Sequence, residues 1–201
     1  MNIISNCCLG AYFTRDILNE PYSNPFVWSW LNTHDICYVV QNYSNIFFSN
    51  FKLQIHNNEH IHNGSTFDII VDESFTICYP HYELSINDAV TRRDDTNNMV
   101  YSNAIYEYVV EKYISRTKRL YIGNNRTPIF LLCDNRNGCG TFSENQVQSL
   151  AKQSSYKIVF CSFYNYDNYT SNYFLHINID GNRLAEIISK HTNEILTFIK
   201  N

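Results

Sequence analysis

Basic charge is in short supply in this chain. Its 201 residues hold 15 Lys or Arg against 19 Asp or Glu, for a formal net charge of −4. That balance lacks the positive field that nucleic-acid binding needs, so no nucleic-acid partner is expected. Long hydrophobic runs are missing as well, and no apolar stretch reaches the ~20 residues of a bilayer-spanning helix. The opening Met-Asn-Ile-Ile carries neither a charged n-region nor a long apolar core, so it does not read as a secretory signal. The cytoplasm is therefore the expected compartment, where thiols stay reduced. The seven cysteines, at 7, 8, 37, 78, 133, 139 and 161, include no CxxC pair, which disfavours a zinc knuckle or a thioredoxin-type motif. No GxGxxG or P-loop pattern supports a nucleotide site at a sheet edge.

What is present is the patterning of one medium-sized globular domain, residues 1–201, with 44% hydrophobic content. Strand-like and helix-like runs alternate. Residues 2–6 read as a buried strand and 11–19 as a helix. A second helix starts at Thr33-His34-Asp35 and runs to about Tyr43. Residues 51–56 and 67–71 read as a hairpin around a polar loop, and 74–80 as another strand. The clearest amphipathic helix spans 98–118. The continuous apolar run at 127–134 reads as a buried parallel strand. Ser143 with Gln146 is a capping box, followed by strands at 156–163 and 172–179 and a closing helix at 183–200. The expected fold is α/β: a single domain with a mostly parallel central sheet flanked by helices.

Cys7 and Cys8 stand where the first strand turns into a helix. Ligands of open α/β sheets bind at the carboxyl ends of strands, and a helix N-terminus favours a thiolate, so the place suits a nucleophile. The competing reading is a pair of buried, inert thiols. A nucleophilic cysteine needs a base and a group to orient it. His81, in a Pro-containing turn after a strand, is the best-placed histidine; His34 is a fallback. Asp134, ending the 127–134 strand, could orient the base, as could Asp72 at the end of 67–71. His56, His60 and His62 with Glu59 resemble a metal clip, but they lie in a loop without a fixed helix, so no metal is expected. Arg92 and Arg93 precede Asp94 and Asp95, which reads as a self-neutralising surface turn, although paired arginines can also grip phosphate or carboxylate.

"IISNCCLGAYFTRD", then "PYSNPFVW", "PHYEL", "EKYISRTKRLYI" and "TPIFLLCD" together resemble a bacterial family described as papain-like cysteine peptidases, with relatives described as exopolysaccharide-biosynthesis proteins. The resemblance spans about residues 3–134. It matches Cys8 to the family's cysteine, His81 to its His-aromatic position, and Arg116 and Arg119 to its basic helix end. Val27-Trp28 departs from it, standing where an acidic residue and Trp are common. The resemblance implies a Cys–His enzyme of acyl transfer or amide/ester hydrolysis acting in cell-surface polysaccharide biosynthesis.

On that reading Cys8 attacks a carbonyl, His81 carries the proton and Asp134 orients His81. The backbone N–H groups of Leu9 and Gly10 hold the oxyanion, with Gly10 letting substrate approach closely. Arg116, Arg119, Arg92 and Arg93 are candidates for holding an anionic substrate group. The substrate is a small molecule or glycan, with no resident cofactor; coenzyme A is an eligible acyl donor. Two alternatives stand beside it: a non-catalytic binding or scaffolding domain of a glycan-assembly pathway, or a transferase for coenzyme A or sugar nucleotides without a cysteine nucleophile. Of the two thiols, Cys8 is expected to face the crevice with a lowered pKa and Cys7 to be buried.

Overall fold

The computed structural model describes residues 2–19, 24–26, 29–57, 65–79, 90–93, 99–101, 103–121, 127–134, 140–166, 169–179 and 184–201. Four strands form a parallel sheet: β1 (Ile3–Ser5), β7 (Ile129–Cys133), β8 (Lys157–Ser162) and β9 (Phe174–Asn178), adjacent in that order. Their register runs Ile3 beside Ile129, Ile129 beside Lys157, and Ile158 beside Phe174. β7 is buried at every residue, as a strand covered on both faces must be. The α/β fold with its parallel sheet is thus as the sequence implies. Because the order 1-7-8-9 never reverses, these four strands have no switch point between them. Their shared carboxyl rim is what remains as a place for a site.

Strand periodicity divides the core in two. Ile4, Phe130, Leu132, Ile158, Phe160 and Phe174 point to one side, into a cluster rich in aromatic rings. Onto it pack α2 (Thr33–Asn42), α3 (Asn103–Tyr121), α4 (Glu144–Lys152) and a second sheet of β2 (Phe51–Asn57), β3 (Ser65–Val71) and β4 (Phe75–Tyr79). Ile3, Ile129, Leu131, Cys133, Val159, Cys161 and Ile177 point to the other side, toward α1 (Leu9–Tyr12), its π-helical continuation Phe13–Ile17, and α5 (Leu184–Lys200).

The second sheet is antiparallel, an addition to the expected parallel one. Its β2–β3 hairpin pairs from Phe51 with Val71 to Asn57 with Ser65. β5 (Val90–Arg93) and β6 (Met99–Tyr101) form a separate antiparallel ribbon. This corrects two expectations. Arg92 and Arg93 belong to a strand rather than a surface turn, and residues 99–101 are extended, so the amphipathic helix starts only at Asn103. Asp94 and Asp95 lie outside the described residues.

Local signals explain the ends of elements. Ser143 Oγ accepts the Gln146 N–H while Gln146 Oε1 accepts the Ser143 N–H at 2.8 Å, closing the capping box of α4. Asn32 caps α2 by accepting the Asp35 N–H at 2.8 Å, and the Asp35 carboxylate accepts the Thr76 N–H at 3.1 Å, tying α2 to β4. Among the described residues, no helix is long and apolar enough to cross a membrane.

Candidate active site

β1 is three residues long, and the chain bends at Asn6 before α1 begins. Asn6 extends β1 by side chain where its backbone has left the sheet. Its Nδ2 donates to the Cys133 carbonyl at 2.9 Å, and its Oδ1 accepts the Cys133 N–H at 2.9 Å. Its own carbonyl accepts the Leu31 N–H at 3.0 Å. This fully buried amide therefore ties the start of the Cys7-Cys8 bend to the end of β7, one residue before Asp134.

Cys7 and Cys8 then part company. Cys7 is 1% exposed and packs with Ile3, Leu9, Phe13, Cys133 and Cys161 in the helix-side core. Cys8 is 7% exposed and stands at the N-cap of α1, its carbonyl accepting the N–H groups of Ala11 and Tyr12 at 3.1 Å. Its thiol takes a hydrogen bond from Trp30. Cys7 is buried as expected, but Cys8 is buried too rather than open to a crevice, and its charge state also departs from expectation. Burial, then the proximity of Cys7, pushes the Cys8 pKa up to about 11, outweighing the hydrogen bonds from Trp30 and from its own backbone. With only four α-helical residues behind it, the partial charge of α1 does not offset that desolvation.

Gly10 has a different use from the one expected. A Cβ there would lie 2.6 Å from Ser5 Cβ, so glycine is what lets α1 cross against β1. Leu9 and Gly10 are buried, and the N–H groups of this first turn have no preceding helical carbonyl to bond.

His81 lies outside the described residues, as do His60, His62 and Glu59. β4 ends two positions before His81, and its Cys78 is joined to Trp30 by two backbone hydrogen bonds of 2.7 and 2.9 Å. The same Trp30 that contacts Cys8 thus holds the strand leading to His81. Asp134 is 1% exposed, its N–H donates to the Cys161 carbonyl at 2.8 Å, and its charge acts on Tyr166, raising the phenol pKa after burial itself. Asp72 is instead a turn residue. With φ of 50°, its N–H donates to the Asn50 carbonyl at 2.7 Å and its carboxylate accepts from Asn50 Nδ2 at 2.9 Å. His34 points to solvent on the first turn of α2, 3.5 Å from Asp35.

Two residues of the rim escaped the sequence reading. Ser162, at the end of β8, and His176, in the middle of β9, are buried, with Ser162 Oγ and His176 Nε2 3.0 Å apart. They are in phase with Phe160 and Phe174, and that alternation was the signal that could have found them. The pair has the spacing of a nucleophile and its base, but its protons run the wrong way. Ser162 Oγ donates to the Tyr164 carbonyl at 2.8 Å, so it accepts from His176 Nε2, while His176 Nδ1 accepts the Tyr166 N–H at 3.4 Å. A histidine already protonated at Nε2 cannot take the serine proton. The pair anchors the loop after β8.

Arg116 and Arg119 lie on α3 along a groove of about 380 Å³ lined, among the described residues, by α3 side chains. That flank is turned away from the face that buries Val109, Tyr113 and Thr117. Cys8 is not among its lining residues. No group of three or more His, Cys, Asp or Glu placed to hold a metal occurs among the described residues. In comparisons with known proteins, the chain matches no family model and no curated protein.

Proposed function

We propose that this chain is a cysteine-nucleophile enzyme of acyl transfer or amide/ester hydrolysis, with Cys8 as the attacking group. The observation that carries the reading is the separation of the two thiols. Cys7 is spent on the core, while Cys8 sits at the parallel sheet's rim, at a helix start, under a hydrogen bond from Trp30. A thiol with a pKa near 11 is protonated at neutral pH, so attack needs a base to remove the proton as the bond forms.

In this mechanism Sγ of Cys8 attacks the carbonyl carbon and its proton passes to His81. The oxyanion is met by the N–H groups of Leu9 and Gly10. Collapse expels the leaving group, which receives the proton from His81, and leaves a thioester on Cys8. Water or an acceptor hydroxyl or amine then takes the acyl group, with His81 again carrying the proton. Asp134 orients His81. Resemblance to the papain-like family points to a glycan or other small-molecule substrate in cytoplasmic steps of polysaccharide assembly, with coenzyme A as an eligible acyl donor.

A second reading has an observation of its own: Cys8 is almost enclosed and its thiol pKa is raised, as in a binding or scaffolding domain. Iodoacetamide labelling mapped by mass spectrometry separates the two. The enzyme reading expects Cys8 to label faster than Cys7, Cys133 and Cys161, His81→Ala to slow that labelling at neutral pH, and Cys7→Ser to lower stability alone. Uniformly inert thiols in the folded protein would leave the scaffold reading standing.

A further inference from the structure

We propose that Trp30 sets the reactivity of Cys8: its indole N–H stabilises the thiolate, and a strap of residues 29–31 holds the ring in place. This role rests on Cys8 as the nucleophile. The strap is fastened on both sides. Trp30 exchanges two backbone hydrogen bonds with Cys78 of β4, at 2.7 and 2.9 Å, and the Leu31 N–H donates to the carbonyl of Asn6 at 3.0 Å. Asn6 is in turn bound through its side chain to Cys133 of β7. Trp30 therefore stands between the antiparallel sheet and the bend that carries Cys8. Extended backbone alternates its side chains, and the two neighbours part accordingly. Leu31 enters the aromatic cluster, while Trp30 packs against the helix-side cluster that holds Cys7, Leu9 and Phe13.

The indole N–H of Trp30 and the backbone N–H of Cys8 both reach the sulfur and favour the thiolate against burial, the indole having the larger effect. An indole N–H is a donor only, and it keeps its proton where cysteines titrate. A hydrogen bond to an ionised acceptor is about twice as strong as one to a neutral acceptor. The bond from Trp30 therefore tightens as the Cys8 proton leaves, and stabilisation that grows along a reaction is the kind that lowers its barrier. Because the strap fixes the Trp30 main chain, the donor is in place before the thiolate forms. It also supports an enclosed sulfur without burying a cation beside it. A phenyl or aliphatic side chain could fill the same volume; the N–H is what it would lack.

A change of one atom tests this. Trp28 and Trp30 are the chain's two tryptophans. In Trp28→Phe, growth on benzothienylalanine replaces the Trp30 indole N–H by sulfur and keeps the bicyclic shape; the same variant grown on tryptophan is the reference. Cys8 ionisation is read as ultraviolet thiolate absorbance against the matching Cys8→Ser protein. Below the native midpoint of about 11, the analogue should hold about tenfold less Cys8 thiolate. Iodoacetamide should label Cys8 more slowly by the same factor. Amide exchange at Trp30, Leu31 and Cys78 should stay as slow as in the reference. Trp30→Phe in the otherwise native chain, which keeps a ring and loses the N–H, should shift the thiolate fraction the same way. An unchanged thiolate fraction in both variants overturns the role and leaves the indole as packing. Faster exchange at the three amides in the analogue overturns the strap. An indole-dependent thiolate that iodoacetamide does not label supports the contact and overturns Cys8 as the nucleophile instead.

Discussion

The two faces of the parallel sheet are built from different materials. The face toward α1 and α5 is aliphatic, and its polarisable atoms are the thiols of Cys7, Cys133 and Cys161, packed as small apolar residues. The opposite face is aromatic: Phe160 alone has ring centres of Phe142, Tyr166, Phe174 and His176 within 5.1 to 6.3 Å. At the rim this second face turns polar, as Asp134, Ser162 and His176 follow Leu132, Phe160 and Phe174 in phase. The difference teaches where chemistry is accommodated. Three of the chain's thiols fill volume on the helix side, while Asp134, Ser162 and His176 are buried where the aromatic side meets the loops.

The sharpest way to break that contrast is to remove a ring and a thiol from neighbouring positions of β8. Phe160→Ala should destabilise by about 3–5 kcal/mol, since its cavity sits among rings that cannot all close in. Cys161→Ala, one residue on and facing the other way, should cost only about 1 kcal/mol. Urea unfolding of both variants reads the difference, and equal losses would dissolve the distinction between the faces.

A smaller effect tests the rim. Asn6→Ala leaves the buried N–H and carbonyl of Cys133 without their partner and should cost about 2–4 kcal/mol. Amide exchange at Cys133 should quicken more than at Leu131, deeper in the same strand. Equal exchange at the two positions would show that the side-chain stitch does not hold the strand end.

The smallest effect is on pH. Burial raises Cys8 from 9.0 to about 11, Cys37 to about 11 and Cys78 to about 12, and Cys161 upward as well. Between about pH 9 and 11 the unfolded chain releases the Cys8 proton and the folded chain keeps it. The unfolded state then binds fewer protons, so stability falls as pH rises through that window and is unaffected by this group below it. Tyrosines titrate in the same range, so the difference between the native chain and Cys8→Ser isolates the thiol. The native chain should lose more stability between pH 8 and 11 than the variant.

Much of the architecture was legible because it is written in short-range signals. The apolar run of β7, the 51–56 and 67–71 hairpin and the Ser143 capping box all came from residues within one element, and each stands as expected. The 98–118 helix began too early because Met99, Val100 and Tyr101 suit strand and helix alike; their pairing with β5 decides for strand. Asp72 looked like Asp134, an acid ending an apolar strand. One caps a hairpin and the other a parallel strand, and only the pairing of the strands separates them.

By itself the sequence determined the periods and the capping box of α4, since each depends on a residue and its near neighbours. Tertiary structure decided the rest. It set Asn6 against Cys133, 127 positions away, gave the missing side chain of Gly10 to Ser5 of β1, and turned Ser162 and His176 into a satisfied pair. It also raised the Cys8 pKa where helix placement had suggested the reverse. The physical reason is common to all four. Steric fit, desolvation and hydrogen-bond satisfaction all depend on what surrounds a group in space, and chain neighbours supply only part of those surroundings.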